Sequence, residues 1–572
     1  MPTIPPATPE TAARDSAPYA LMREGVLAFL QSLSNLSERF ERASRGKAFV
    51  FWALLFWLAA RWLWIDLTPW AAYHEENLYE FTAARNFLAH GFWATRFLPD
   101  YAAKGMGPVV YTHFPPLPSL LAALGHQIGF GPQSFRYLLA LASVAGIYVF
   151  YKFLDAAFGR NAAVMGLFFS STFFSEQFAW SGHTSYAFTL LVLFWPSCLL
   201  YRRPGFLNDG AIGGLVFFTS LLNYKLLIIQ LFLLGMVSRH ARGRVLRTIG
   251  TGMAAALLGL GLHLAQNIAF LGRDTAIREL AFTISNRILS IPSTADLEPW
   301  FRAHNIVLWG APRHAPAALL RGILKNMILY PGLILLRNGF LSLLIPVAMG
   351  VRYFKKPLEA KNLRLLAGVF LSAGAWGVLF PAHELGYGLS STESLGPLLA
   401  VCFLCGYLLD LSRTLPRSRA ALFFLLAALP CAQSGLLFIN QYTESLRQTS
   451  HPQMMLPGLK KYRGSPVWTN LSSIHLEYFM NQTVPGRCTI RAFKSRGLSA
   501  CLNILANSKA DLTPLAAPRY FVFSDNDKLL SSNMSDATPE RLALFQETLD
   551  RRATLVEKNS AYSAYRFNRA QR

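Results

Sequence analysis

Long apolar runs separated by short polar clusters dominate the hydropathy pattern of this chain. About eleven runs have the composition of membrane-spanning helices, which need roughly 20 apolar residues to cross the hydrocarbon layer. They occupy residues 48–68, 134–154, 160–177, 184–200, 209–222, 225–238, 247–271, 327–351, 362–382, 394–411 and 419–439. The pattern predicts an α-helical polytopic membrane protein, in which the pair 209–222 and 225–238 is shorter than a full span.

Basic residues fall in alternate loops between these runs. Clusters of Lys and Arg occur within 202–203, 239–247, 352–364 and 413–419, whereas the short loops 178–183 and 383–393 contain none. Because basic loops stay in the cytoplasm, this alternation predicts a cytoplasmic N-terminus and an extracytoplasmic C-terminus, as for a protein of the bacterial inner membrane. Two long segments, 69–133 and 272–326, then lie on the outer side.

The polar ends of the chain give the remaining organisation. We predict a disordered tail over 1–19, a cytoplasmic amphipathic helix within 20–47, a transmembrane domain over 48–439 and a small α/β domain over 440–572. In the last of these, strands are predicted at 466–471 and 519–525, and a helix is predicted to begin at Thr538 with Pro539 in its first turn.

Charge and cysteine content narrow the function classes. The net charge is +23, but the basic residues lie in short loops between apolar runs, so the charge predicts membrane orientation and no nucleic-acid partner. Cys402 and Cys405 form a C-x-x-C within an apolar run, a weak signal for a redox or zinc site. Cys488 and Cys501 lie in the polar tail and would form a disulfide in an oxidising compartment.

The first outer segment carries an unusual concentration of acidic and aromatic residues. It contains HEENLYEFTAARNFLAHGFW at 74–93 and YTHFPPLPSLLAAL at 111–124. Three carboxylates, Glu75, Glu76 and Glu80, follow the first apolar run. Neighbours in a helix point in different directions, so at most one of Glu75 and Glu76 is expected to face a single site.

This segment resembles the membrane glycosyltransferases of the GT-C class, in the branch of the protein O-mannosyltransferases and the lipid A aminoarabinose transferases. In that branch an acidic pair opens the first outer loop, and here Glu75 and Glu76 stand in its place. An Arg-containing helix ending in Gly and an aromatic residue follows, matched by Arg85, Gly91 and Trp93, and then a Pro-Pro-Leu turn, matched at 115–117.

The match departs from the family at its most informative point. The branch usually has Asp-Glu, whereas this chain has His74, Glu75, Glu76 and Asn77. Counting back from Arg85 and Gly91 favours Glu76 as the family's acid, and a shift of one residue selects Glu75.

The resemblance implies a sugar donor linked to a polyprenyl phosphate. It implies an inverting hexosyl- or pentosyltransferase that acts on a lipid, glycan or protein acceptor at the outer face, with Glu76 or Glu75 as general base. Lys225, in FFTSLLNYKLL at 217–227, resembles a family lysine at the outer face and would bind the donor phosphate together with Arg85. The structural alternative for Lys225 is a side chain that reaches the membrane surface without a ligand.

Further polar residues are predicted to line a substrate cavity, each with an ordinary structural role as the alternative. They are Tyr111, His113, Glu176, His183, His383, Glu384 and Tyr387. We predict no required cofactor: zinc or manganese would suit the histidines and carboxylates gathered here, but the chain has no H-E-x-x-H.

Two other function classes fit the same hydropathy. A transporter or flippase for a lipid-linked glycan would also have many spans, although such proteins often contain internal repeats, and none is evident here. A non-catalytic assembly protein would use the outer tail for binding and would tolerate replacement of Glu75 and Glu76.

Overall fold

A computed structural model gives the structure of most of the membrane domain and of four strands in the tail. The described residues are 46–68, 75–102, 108–170, 183–201, 206–241, 245–289, 292, 294–306, 315–324, 329, 359–382, 395–411, 426, 439, 461, 467–469, 520–523, 547, 550–551, 553–558 and 563–567. Several predicted features lie outside them: the tail 1–19, the helix within 20–47, Cys488, Cys501 and Thr538. The apolar runs 327–351 and 419–439 also lie almost entirely outside them.

The described part of the chain contains fifteen α-helices. They are α1 (Lys47–Leu67), α2 (Glu75–His90), α3 (Leu117–Gln127), α4 (Pro132–Phe158), α5 (Arg160–Phe169), α6 (Thr184–Ala187), α7 (Thr189–Leu200), α8 (Phe206–Leu222), α9 (Tyr224–Ala241), α10 (Val245–Leu271), α11 (Arg273–Leu289), α12 (Thr294–Ala303), α13 (Pro316–Leu324), α14 (Ala360–Leu379) and α15 (Leu395–Leu411).

Nine of the eleven apolar runs coincide with described helices. By length and composition, four described helices are long and apolar enough to cross a membrane: α1, α4, α10 and α14. The short pair 209–222 and 225–238 corresponds to α8 and α9, which are longer than the apolar runs and are separated only by Asn223. Run 160–177 is helical over α5, and residues 171–182 lie outside the described part.

Polar contacts at one end of the bundle join the termini of distant helices. The side-chain amide of Asn161 donates to Asp410 Oδ1 at 2.7 Å, joining the start of α5 to the end of α15. His240, near the end of α9, hydrogen bonds to the Tyr201 hydroxyl through Nδ1 at 2.9 Å and to Asn362 Oδ1 through Nε2 at 3.3 Å. We call this the basic end, because Arg160, Arg239, Arg247, Lys361 and Arg364 lie at or near it.

The opposite end carries the outer segments, and we call it the loop end. Here Gln133 Nε2 donates to the Ile65 carbonyl at 2.8 Å, and Arg136 Nη1 donates to the Thr68 carbonyl at 2.7 Å. These bonds join the start of α4 to the end of α1. Helices α2 and α3 and helices α11 and α12 also lie at the loop end, so the two predicted outer segments share one face of the bundle.

The bundle core is aromatic and closely packed. Phe150, Phe153 and Phe194 are buried between α4 and α7, and the Trp57 indole donates to the Leu167 carbonyl at 2.8 Å. Gly406 of α15 packs directly on α5, since a Cβ there would lie 2.5 Å from the Ala162 backbone nitrogen. Small residues at such contacts let membrane helices approach closely.

Four short strands of the tail form one sheet. Strands β1 (Val467–Thr469), β2 (Tyr520–Phe523), β3 (Ala553–Lys558) and β4 (Ser563–Phe567) have the order β1-β2-β4-β3. Strands β1 and β2 are parallel, and the other neighbours are antiparallel. The first two lie where the sequence predicts strands, whereas the β3–β4 hairpin was not predicted.

The charge pattern predicts which end of the bundle faces the cytoplasm, and this prediction has a direct test. We expect a reporter fused after Arg572 to be active only outside the cytoplasm, and one fused near Arg244 only inside, because the positive-inside rule retains the basic end. Alkaline phosphatase and fluorescent-protein fusions would measure this. A cytoplasmic signal from the C-terminal fusion would reverse the orientation and move the loop end to the wrong side for an outer-face site.

Candidate functional site

The acidic pair of the first outer segment forms the first turn of α2. Glu75 and Glu76 are the first two residues of that helix, and their side chains lie outside the described part of the structure. The helix ends at His90, and Gly91 follows with a φ of +82° while its N–H bonds to the Phe87 carbonyl at 2.9 Å. A left-handed residue after the last turn favours glycine, which confirms the predicted helix end.

The Pro-Pro turn is fixed from two sides. Helix α3 begins at Leu117, directly after Pro115 and Pro116, as the sequence predicts. In the strand-like stretch before it, the Val110 N–H donates to the Asn305 carbonyl at 3.0 Å. The Thr112 carbonyl accepts from His263 Nε2 of α10 at 2.8 Å. The first outer segment is therefore tied both to a long membrane helix and to the second outer segment.

Five rings lie in sequence across the loop end, and we call them the aromatic row. They are Tyr79, Tyr101, Tyr111, His113 and Phe301, with successive ring-centroid distances of 4.9, 5.6, 5.2 and 5.5 Å. The row begins on α2 and ends on α12, so it spans both outer segments. It includes two of the predicted cavity residues, Tyr111 and His113.

A carboxylate lies near the start of the aromatic row. Glu80 follows Tyr79 on α2, and its Oε2 accepts a hydrogen bond of 2.6 Å from the Thr184 hydroxyl at the start of α6. Burial raises the pKa of the Tyr101 hydroxyl well above its usual value, and the nearby charge of Glu80 adds to this effect. Tyr101 thus stays protonated beside the carboxylate and can donate a hydrogen bond.

A second carboxylate lies at the other end of the row, in a buried ion pair. His113 Nδ1 is bonded to Glu279 Oε1 of α11, and the two side chains are 0% and 2% exposed. The Thr283 hydroxyl donates to the same Glu279 oxygen at 2.9 Å. Burial raises the pKa of Glu279, but the charge of His113 and hydrogen bonds from His113, Thr283 and Thr112 outweigh it and give a net lowering. The carboxyl is therefore ionised at neutral pH.

Helix α11 has its polar side buried and its apolar side exposed. The buried side includes Glu279, Thr283, Asn286 and Arg287, which are 1–8% exposed. The exposed side includes Ile277, Leu280 and Ile284, which are 39–47% exposed. A helix in water shows the reverse arrangement. This pattern fits a helix that lies against lipid and presents its polar side to the aromatic row.

The two predicted phosphate ligands lie on different helices, α9 and α2. Lys225 is the second residue of α9, and its backbone N–H donates to Asn223 Oδ1 at 2.8 Å. The adjacent Tyr224 interacts electrostatically with Glu279 and Arg287, which places the start of α9 beside the ion-pair end of the row. Arg85 of α2 lies instead within charge reach of Asp100.

The remaining predicted cavity residues divide into one described residue and four that the structure does not describe. His183 is buried immediately before α6, with its ring 5.2 Å from that of Tyr186. Glu176, His383, Glu384 and Tyr387 lie outside the described residues. Within the part of the chain that is described, no group of three or more His, Cys, Asp or Glu side chains could hold a metal ion.

Glu279, Thr283 and Arg287 were not predicted as site residues. Their signal is present in the sequence as polar residues at intervals of four within RDTAIRELAFTISNRIL, which places them on one side of a helix. A polar stripe of this kind ordinarily indicates a solvated face, and only the packed structure shows that it is buried. Tyr79 and Tyr101 likewise gain their role from their position in the row.

The comparisons with known proteins identify the fold. No protein-family model matches the sequence, and no curated protein is similar to it in sequence. The crystal structure of ArnT from Cupriavidus metallidurans bound to undecaprenyl phosphate is similar over 91% of this chain and 98% of that chain, with 12% identity and a TM-score of 0.52. The apo structure of the same ArnT gives the same coverage, with 13% identity and a TM-score of 0.48. The chain thus has the ArnT-like GT-C fold.

Proposed function

We propose that this chain is an integral membrane glycosyltransferase that moves a sugar from a polyprenyl-phosphate donor to an acceptor at the outer face. One observation carries the proposal: in an ArnT-like fold, both outer segments converge on an aromatic row with a carboxylate near each end. The solved ArnT structure contains undecaprenyl phosphate, which supports a donor of that class. The sugar is a hexose or pentose, and the acceptor is a lipid, glycan or protein.

The reaction requires a base near the start of α2. An acceptor hydroxyl or amine attacks the anomeric carbon, the bond from that carbon to the phosphate oxygen breaks, and the polyprenyl phosphate leaves with the bonding electrons. The attacking group loses its proton to Glu76, or to Glu75 if the helix register differs by one residue. Attack opposite the leaving phosphate inverts the anomeric centre.

Cations at the loop end would stabilise the departing phosphate. Lys225 lies in the first turn of α9, where the helix dipole also favours an anion. Arg85 is proposed as the second cation, reaching the donor from α2. Positive groups aimed at developing negative charge often make the largest electrostatic contribution to catalysis.

Reconstitution with labelled donors tests the proposal. Purified full-length protein in liposomes should consume one member of a panel of radiolabelled polyprenyl-phosphate hexoses and pentoses, releasing the polyprenyl phosphate. We expect turnover to persist when divalent cations are chelated, because the proposed steps use only side chains.

Two outcomes would contradict this reaction and favour another class. If the labelled donor appeared intact in the opposite leaflet, the protein would be a flippase. If no donor were cleaved or moved, and variants with Gln at positions 75 and 76 supported cell growth as well as wild type, the protein would be a non-catalytic assembly component.

A further inference from the structure

The two ring nitrogens of His113 have different surroundings. Nδ1 faces Glu279 Oε1 and lies 3.1 Å from the Thr283 hydroxyl and 3.3 Å from the Thr112 hydroxyl. Nε2 lies on the other side of the ring, is buried, and has no hydrogen-bond partner among the residues that the structure describes. The side chain is wholly buried, so this nitrogen points into the protein interior at the loop end.

The contacts of Nδ1 determine which ring nitrogen of His113 is left for a ligand. Glu279 is an ionised acceptor that receives bonds from Thr283 and Thr112 as well as from the ring. Nδ1 faces this carboxylate, which leaves Nε2 as the ring nitrogen for a ligand, and Nε2 donates whenever the ring carries both protons. A buried polar nitrogen is costly unless it has a hydrogen-bond partner. An oxygen of an anionic ligand would supply that partner.

A buried guanidinium lies on the same face of α11 as Glu279. Arg287 is two turns from Glu279 on α11, and its Nε is also buried without a hydrogen-bond partner among the described residues. Tyr224 interacts electrostatically with both Glu279 and Arg287, which places all three around one region. A buried guanidinium with a donor left without a partner suits an anionic ligand.

We propose that His113 is a ligand of the donor's phosphate, hydrogen-bonded from Nε2 to a phosphate oxygen while Glu279 holds the ring through Nδ1. This inference rests on the proposed function and adds a ligand to it that neither Lys225 nor Arg85 supplies. Glu279 acts as a positioning residue, since it contacts the ring and not the phosphate. Arg287 contributes positive charge on the same side of α11.

Undecaprenyl phosphate is the proposed leaving group, and its binding can be measured without the transfer reaction. A binding experiment therefore tests the contact between His113 and the phosphate alone. The full-length protein in nanodiscs would be titrated with undecaprenyl phosphate and, separately, with uncharged undecaprenol. In His113→Asn, the amide takes the place of Nδ1 beside Glu279 but offers nothing at Nε2. We expect a loss of about 10- to 100-fold in affinity for undecaprenyl phosphate, as for a lost hydrogen bond to a charged group, with undecaprenol binding unchanged. Arg287→Gln should lower the preference for undecaprenyl phosphate over undecaprenol in protein whose His113 is intact.

Arg278→Gln is the matched control, because Arg278 adjoins Glu279 on α11 but lies on the exposed side. It should keep the wild-type preference. An unchanged preference in His113→Asn, or an equal loss in Arg278→Gln, would overturn the assignment of His113 alone. Inorganic phosphate binding as tightly as undecaprenyl phosphate would make free phosphate the ligand. A wild-type protein that does not prefer undecaprenyl phosphate over undecaprenol would overturn the proposed function as well.

Discussion

Glu76→Gln is expected to reduce turnover by about 10²- to 10⁴-fold, the usual contribution of a general base, while donor affinity changes little. The substitution keeps the shape of the side chain and removes only its ability to accept the acceptor's proton. Turnover would be measured with the labelled donor in folded, membrane-inserted protein, and donor affinity by equilibrium binding. Glu298→Gln is the control, because Glu298 is an exposed carboxylate of α12 paired with Arg302.

The neighbouring variants locate the base if Glu76 is not that residue. A loss confined to Glu75→Gln would retain the enzyme and shift the register of α2 by one residue. Normal turnover in both variants would place the base elsewhere, with Glu80, Glu176 and Glu384 the next to replace. Lys225→Ala should differ from all of these by weakening donor binding, because its proposed partner is the phosphate.

Glu279→Gln is expected to destabilise the protein by about 3–5 kcal/mol, the typical cost of removing one partner from a buried ion pair. The variant removes the buried carboxylate to which His113 Nδ1 and the Thr283 hydroxyl are hydrogen-bonded. Chemical or thermal unfolding in detergent would measure the change. The double variant Glu279→Gln with His113→Asn should lose less than the sum of the two single variants, since each removes the same interaction. A loss below about 1 kcal/mol would match an exposed ion pair and contradict the buried one.

The same carboxylate predicts how stability depends on pH. Because the pKa of Glu279 is lowered in the folded protein, its contribution is fully present above the unfolded value of about 4.3 and is lost as pH falls through the folded value. The wild-type protein should therefore lose stability in acid over that range. Glu279→Gln should lose less there, while Glu298→Gln should follow the wild type.

Local signals in the sequence predicted local structure. Lipid requires long apolar helices, so α1, α4 and α10 follow directly from hydropathy. Gly91 marks the end of α2 because glycine readily adopts the left-handed conformation that follows a helix. The Pro-Pro pair marks the start of α3 because proline suits the beginning of a helix. In the tail, the apolar strands β1 and β2 were recognisable, whereas β3 mixes apolar and charged residues and β4 mixes charged and aromatic residues without a clear alternation.

The candidate site depends on contacts that no local pattern contains. His113 and Glu279 are 166 residues apart in the chain, and neither carries a motif that names the other. Hydropathy places 272–326 outside the spans but does not show which side of its helices is buried. The family resemblance predicted Glu75, Glu76, Lys225 and Arg85 as site residues. The His113–Glu279 pair and the aromatic row are visible only in the packed structure.

The inverted surface of α11 reverses the usual rules for redesigning a helix. In most proteins the exposed positions are polar and freely varied, and the apolar positions must be kept. Here Ile277, Leu280 and Ile284 are exposed, whereas Glu279, Thr283, Asn286 and Arg287 are packed. A version of this protein made for work without detergent would exchange those three apolar residues for charged ones and leave the four buried polar residues unchanged.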